Sequence, residues 1–567
     1  MILCPFLPAG RQGPRPKVQR LHAVQALALH AGHVPVTTEE EWTMMRKLLF
    51  IMTGLIFVFF LIVGGRGIVG AAGPAGAPRY GGILKIGDAR PTTFLGYPQK
   101  MVSGYVKRQV APAIESLFRL DKDGQTVPWL ATGWKMDSSA KVITLTLRRG
   151  VKFHDGTDFN AEAAKWNLDQ AITAKQFGSV LIDSVDVVDP YTIRINLKQR
   201  DNTLLGMLGF SYIGMMMSPT AFKTKGEDWV TANPVGTGPF RFVSWQKDVK
   251  IAFRKFEGYW QKGKPYLDGI ENLIIYDKVV GGLSFKSGET DQYVEPNYED
   301  IAGYEKEGYR INRLMGAFAS PTAGAIPDSA DPNSPFAKLK VRQAVIHAID
   351  TQGMVKAILA GEGVGCTQWM FPGHWAYNPG IKGYPYNPER AKQLLAEAGY
   401  PDGFKTKYTI MAGPAEYQQF GQALAGYLDK IGVQVEIVQL PTAQIQGIWA
   451  RGGNWDGLHQ LFPPPYPDVA AGLRDRFFGD GKNYKEMLAP DDYKQAVSNA
   501  VTAADFATKQ KWTQEALKLL TDKYALAIPF YHPNRVVIER PFVRGSGSFM
   551  VATDSQWTPE DAWLDKK

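Results

Sequence analysis

Residues 233–270 read NPVGTGPFRFVSWQKDVKIAFRKFEGYWQKGKPYLDGI. Gly236-Thr-Gly-Pro-Phe240 is a turn punctuated by glycine and proline, and period-two alternation follows it. Phe240 and Phe242 fall on one face, Arg241 and Val243 on the other. Val249, Ile251 and Phe253 then alternate with Lys250, Ala252 and Arg254. The spacing predicts two strands joined by a turn over Ser244–Asp248. An aromatic group, Phe256, Tyr259 and Trp260, comes next, then Gly263, Pro265 and an apolar restart at Leu267. No Gly-Lys-Ser/Thr follows the glycines, so the turn is not a phosphate loop.

Upstream, Tyr80–Ile86 predicts a first strand and Val110–Leu120 a helix. In Lys141–Leu147, Ile143, Leu145 and Leu147 alternate with Val142, Thr144 and Thr146, the pattern of a half-buried strand. Asp155-Gly156 signals a turn, Asn160 caps a helix, and Asp183–Leu197 reads as a strand pair around Asp189-Pro190. The methionine-rich stretch Thr203–Met217 reads as core filling. Downstream, Leu283–Glu295 gives a helix and turn, and Pro321–Pro335 reads as a loop. Lys338–Ile349 carries one apolar helical face. Asn387 caps a helix, Pro388 opens it and Gly399 supplies a left-handed exit. A helix over Phe420–Ile431, stopped at Gly432, runs into the strand Val433–Ile437, and Trp512–Leu520 is a last helix before a strand at Leu526–Tyr531. Helices alternating with strands in both halves predict a mixed α/β architecture.

The opening stretch resembles the middle signature of the peptide, nickel and oligosaccharide group (family 5) of bacterial extracytoplasmic solute-binding proteins, the receptors of ABC importers. Glu257-Gly-Tyr259-Trp260 and Lys264-Pro-Tyr-Leu-Asp268-Gly-Ile270 stand where that family carries N-x-x-Y-W and K-P-x-x-D-x-I. The likeness extends through Pro128–Trp134, Arg148–Thr157, Phe336–Asp350 and Leu394–Gly403, and covers Tyr80 to the C-terminus. It implies a two-lobed α/β fold of the type II periplasmic-binding-protein kind with an additional small domain. Lobe I would hold 78–120, 209–310 and 525–567; the small domain 121–208; lobe II 311–524. It also implies a ligand cleft lined by the loop holding Phe94 and Tyr97, by Tyr293 near the family's G-E-x-D loop, and by two aromatic loops. Trp369 and Trp375 sit in the first of these, Phe462 and Tyr466 in the second. Peptide-binding members place an acidic residue against the ligand's free amine. Here Pro465 stands at that position, which leaves Asp468 as the alternative countercharge.

Totals set the remaining bounds. Of 567 residues 45% are hydrophobic, so the chain can bury more than one core. The net charge is +9, of which +5 falls in the first 79 residues; the remainder does not argue for nucleic acid. Met44-Met-Arg-Lys47, the apolar run Leu48–Val63 and the small residues Gly70–Ala77 form a secretory signal pattern, with 1–43 read as a start-site misassignment. The leader is thus 1–77, the alternative being an uncleaved membrane anchor. Of the two cysteines, Cys4 and Cys366, only the second follows the leader, so no internal disulfide is expected. Neither H-E-x-x-H, G-x-S-x-G nor a CxxC pair occurs. The resemblance implies non-enzymatic capture of a small organic solute, a short peptide, opine-like conjugate or oligosaccharide, by a periplasmic monomer. It would need neither cofactor nor metal and would deliver to an inner-membrane ABC permease. The alternatives are an exported hydrolase and a membrane-anchored sensor.

Overall fold

The computed structural model describes residues 76–567 apart from 91–93, 102–103, 122–124, 138, 140, 177, 316–321, 413–414, 451–452, 454, 462–467, 478–483, 485, 548–556 and 567. Residues 77–567 form one compact unit. The leader up to residue 75, with the apolar run of its signal pattern, lies outside the described residues. Among the described residues no helix is long and apolar enough to cross a membrane.

Twelve strands join into one sheet. From one edge it runs Val433–Leu440, Phe404–Met411, Leu458–Leu461, Thr322–Ala325, Ala527–Glu539, Gln292–Val294, Ile83–Asp88, Gly269–Ile274, Lys250–Lys255 and Phe240–Gln246. The thirteen-residue strand Ala527–Glu539 also pairs with Arg310–Met315 and Gly363–Gly365. Among the described residues its first half, Ala527–Pro533, pairs only with Thr322–Ala325 and Gly363–Gly365. Its second half, Asn534–Glu539, pairs with Gln292–Val294 and Arg310–Met315. The polypeptide therefore passes between two groups of strands inside this strand, and once more between Met315 and Thr322. Ile83–Asp88 is parallel to both Gly269–Ile274 and Gln292–Val294, while Phe404–Met411 is parallel to both Val433–Leu440 and Leu458–Leu461. Parallel neighbours need helical crossovers, and these cover the faces.

A separate antiparallel sheet orders Ala131–Met136, Val142–Leu147, Thr192–Leu197 and Ile182–Asp189. Ile143, Leu145 and Leu147 point into its core beside Leu168 of the Ala161–Thr173 helix, as the alternation predicts. Asn160 caps that helix by accepting from the Ala163 amide at 3.0 Å. Met207, Met215, Met216 and Met217 are buried, so the methionine stretch fills core.

Two predicted elements differ. The helix placed at 110–120 is Gly104–Val110, and the chain then turns into the strand Phe118–Leu120. Pro112 and the closeness of the glycine turn end the helix early: Gly238 N and Phe240 N donate to Ala113 O and Pro112 O at 3.0 and 2.9 Å. Within the expected loop 321–335, Thr322–Ala325 is a strand, recruited by pairing on both edges.

The opening motif and its strongest upstream companion are one cluster. The His154 amide donates to Gly236 O at 2.8 Å, and His154 Nε2 lies 2.9 Å from Gly238 O. The Arg241 guanidinium donates to His154 O, and the His154 ring meets Phe256 edge-on. Beneath them Glu115, 3% exposed, is the shared acceptor. Trp129 Nε1, Thr237 Oγ1, Tyr259 OH and Trp260 Nε1 all donate to its carboxylate, at 2.8, 2.8, 2.9 and 3.1 Å. Its carboxyl pKa is raised by burial, against the pull of the nearby Arg119 cation. His154 and Asp155 are thus turn residues rather than a catalytic dyad.

Candidate functional site: the crevice between the parallel strands

In α/β sheets, ligands bind outside the carboxyl ends of parallel strands, where the topology switches direction. Here the two strand groups meet along a line, called the crevice below, where the helices that follow such strands approach at their first turns. Lys278 opens the Lys278–Ser287 helix that follows Gly269–Ile274; Glu416 sits in the first turn of the Ala415–Asp429 helix that follows Phe404–Met411. Their side chains meet, Lys278 Nζ to Glu416 Oε1, at 2.9 Å.

The crevice floor is charged. Asp88, the last residue of the Ile83–Asp88 strand, accepts from Arg108 and, at 3.2 Å, from Gln109 Nε2. Two residues on, Arg90 donates from Nε to Glu295 Oε2 at 3.0 Å. Glu295 directly follows the Gln292–Val294 strand in a left-handed conformation, φ +56°. Its other oxygen accepts from Arg535 on the crossing strand at 3.1 Å. Burial alone would raise the Glu295 pKa, but Arg535, Arg90 and Arg108 overcome it and hold the carboxyl down at about 2. Tyr298 OH donates to Asn534 O at 3.2 Å, close to the point where the strand changes partners.

Of the residues expected at the ligand, Phe94 is half-buried. Tyr97 is buried with its ring 5.3 Å from Phe222 and its hydroxyl donating to Gln170 at 3.1 Å. Tyr293 lies in a core with Phe285 and Tyr304, its hydroxyl bonded to Lys278 O at 2.6 Å. Trp369 is a core ring set edge-on to Phe477. Among the described candidates the structure brings together only Trp375 and Asp468, in a cavity of about 330 Å3 shared with Trp134, Phe506 and Lys509. Asp468 is not an open countercharge there. It is 8% exposed, accepts from the Ala471 amide at 3.1 Å as a helix cap and is ion-paired to Lys509. Phe462, Pro465 and Tyr466 lie outside the described residues.

The residues that shape the crevice, Arg90, Lys278, Glu295, Glu416 and Arg535, are not apparent from sequence. They are separated by 138 to 240 positions in their pairs, and only the topology unites them.

A family model described as bacterial extracellular solute-binding proteins, family 5, middle region, matches residues 125–484. The chain belongs to this family. The glutathione-binding protein GsiB of Salmonella choleraesuis is 35% identical over 355 residues, 61% of this chain and 68% of that protein. Its counterpart from Escherichia coli O1:K1 is 32% identical over the same span. Among solved structures, the DppA periplasmic binding protein of Helicobacter pylori in complex with peptide STSA superposes with TM-score 0.71. It has 23% identity and covers 86% of this chain and 99% of its own. The agropinic-acid complex of AgaA from A. tumefaciens R10 superposes with TM-score 0.70 at 22% identity, covering 86% of this chain and 99% of its own. The fold is the two-lobed α/β binding-protein architecture with an additional small domain. The family member is an extracytoplasmic receptor that captures a small solute for an ABC importer.

Proposed function

We propose that the crevice captures a short peptide-like acid of the glutathione class. In this reading the chain is exported by its N-terminal signal, works as a monomer without turnover or cofactor, and delivers to an inner-membrane permease. The observation that carries the ligand class is Arg90. Its side chain is 32% exposed at the carboxyl end of the Ile83–Asp88 strand, and Glu295 holds the guanidinium in place. Glu295 takes the Nε and one terminal nitrogen of Arg90, and an oriented cation at that position suits an acidic ligand. The opposite wall carries Glu416, already ion-paired with Lys278. The similarity to glutathione-binding relatives supports the same class. We take the lobe edges, set at 310/311 and 524/525 from sequence, to fall where strand pairing changes group, between the strands Arg310–Met315 and Thr322–Ala325 and within Ala527–Glu539.

Titration calorimetry of the purified protein with glutathione, a neutral dipeptide and a maltooligosaccharide tests this. Saturable binding of the unaltered tripeptide is expected, weakened at least tenfold by Arg90→Ala. Preference for either other ligand, or release of a cleavage product, would overturn it.

A further inference from the structure

The Lys278–Ser287 helix is built inside out. Gly281, Gly282 and Phe285 form its buried face. Glycine is required there by close approach: a Cβ on Gly281 would lie 2.8 Å from the Tyr293 ring, and one on Gly282 2.5 Å from the Tyr304 hydroxyl. The water-facing side carries Val279, Val280 and Leu283, which are 63, 52 and 63% exposed. Positions i, i+1 and i+4 share one face of a helix. Tyr276 and Val249, 49 and 57% exposed, extend it. Tyr276 OH donates to Asp248 at 2.5 Å and Ile274 N to Val249 O at 2.9 Å, which ties the hairpin turn to the start of the helix. Successive valines lower helix propensity, and on this face they gain no burial in return.

We propose that this apolar face is a docking surface for the extracytoplasmic side of the membrane permease. Two observations favour that occupant. The five side chains leave roughly 500 Å2 in water, the scale of a functional patch but short of the about 800 Å2 per partner of a stable dimer. A brief, repeated contact fits that area better than a second copy does. The face is also continuous with the crevice. Lys278, the residue before the stripe, pairs with Glu416 across it, so the patch adjoins the opposite lobe when that ion pair is formed. A partner resting on both would bind the shut receptor in preference to the open one.

The inference rests on the importer reading but not on the identity of the solute. Leu283→Asp and Val280→Asp are the variants. Purified, each keeps its melting temperature and binds glutathione within twofold of the wild type, and wild type and variants alike sediment as monomers. In the host, uptake of labelled glutathione falls at least tenfold. A second readout does not depend on the ligand. Leu283→Cys is labelled with a thiol-linked photocrosslinker in host membranes, Cys366 being buried; mass spectrometry then identifies an ABC permease subunit in the adduct. Undiminished uptake by both Asp variants, adducts only with a second copy of this chain, or a wild-type dimer that Leu283→Asp dissociates would overturn the proposal. If glutathione does not bind but the permease adduct forms, the ligand class fails and the docking surface stands.

Discussion

Lys278 Nζ lies 2.9 Å from Glu416 Oε1, and these two side chains link the first helical turns that follow strands on opposite sides of the crevice. Both are about a third exposed, 29 and 35%, so water screens them and the pair is worth well under 1 kcal/mol. Such a pair does not hold the protein folded; in the proposed reading it favours the shut crevice. Lys278→Ala should weaken ligand binding about two- to threefold and leave thermal unfolding unchanged. Because exposed pairs are screened, the difference between variant and wild type should shrink in high salt, which calorimetry at two ionic strengths will read.

Glu295 is a different kind of charge. Its carboxylate is enclosed by Arg535 and Arg90, and removing it leaves two guanidinium groups with a missing partner in a poorly hydrated place. Glu295→Gln should cost about 3 kcal/mol of stability and abolish high-affinity binding by misplacing Arg90. The pH dependence has a definite sign. A carboxyl held at about 2 contributes stability that is complete above its unfolded value near 4.3 and is lost as pH falls toward 2. Urea unfolding at pH 5 and pH 3 will show a smaller loss in Glu295→Gln than in the wild type.

Histidines act over a higher range. His532 is fully buried on the crossing strand, with neither ring nitrogen hydrogen-bonded, and its ring lies 5.3 Å from Phe371. Burial, and secondarily His374, depresses its pKa to about 3; burial takes His374 to about 4. Both stay neutral in the fold but gain a proton when unfolded below about 6.5, so stability falls as pH drops from there toward 4. Each contributes on the order of 3 kcal/mol to that loss by pH 4. His532→Leu should flatten the stability profile between pH 6.5 and 4.5, whatever its stability at neutral pH. An unchanged slope would show that the imidazole finds a proton acceptor as the fold relaxes.

Glycines separate by what surrounds them. A Cβ at Gly236 would lie 2.2 Å from Ala113 O, and one at Gly238 2.5 Å from Pro112 O, both backbone atoms that cannot step aside. Gly236→Ala should destabilise by several kcal/mol, on the order of 3, by parting the turn from its support. Gly426, inside the Ala415–Asp429 helix, has nothing within 4 Å of an added Cβ, and Gly426→Ala should stabilise by about 1 kcal/mol. Denaturant midpoints of the two variants should move in opposite directions.

Local chemistry was legible in the sequence where it is self-contained. The hairpin forms as Phe240–Gln246 and Lys250–Lys255, Asn387 caps by accepting from the Arg390 amide at 2.9 Å, and Gly399 leaves its helix at φ +88°. Glu115 was not legible as an anchor, because nothing near it in sequence announces four donors arriving from residues 129, 237, 259 and 260. The aromatic rings are less legible for a related reason. A ring can face a cleft or seal a core, and Tyr293 and Trp369 are buried among other rings. The charged residues at the strand ends were not legible at all, because their pairing is a property of topology.

The crossing strand has a consequence for how such a protein can diverge. Side chains along a strand alternate faces with a period of two, and Ala527–Glu539 carries that alternation from one strand group into the other without a loop between them. Inserting or deleting one residue near Pro533 would leave one half in phase and, in the other, exchange the residues packed on its two faces, both of which are buried. Loops elsewhere in the chain can lengthen freely, but this segment acts as a ruler of fixed length. Homologous chains should align through it without a gap even where their ligands have nothing in common.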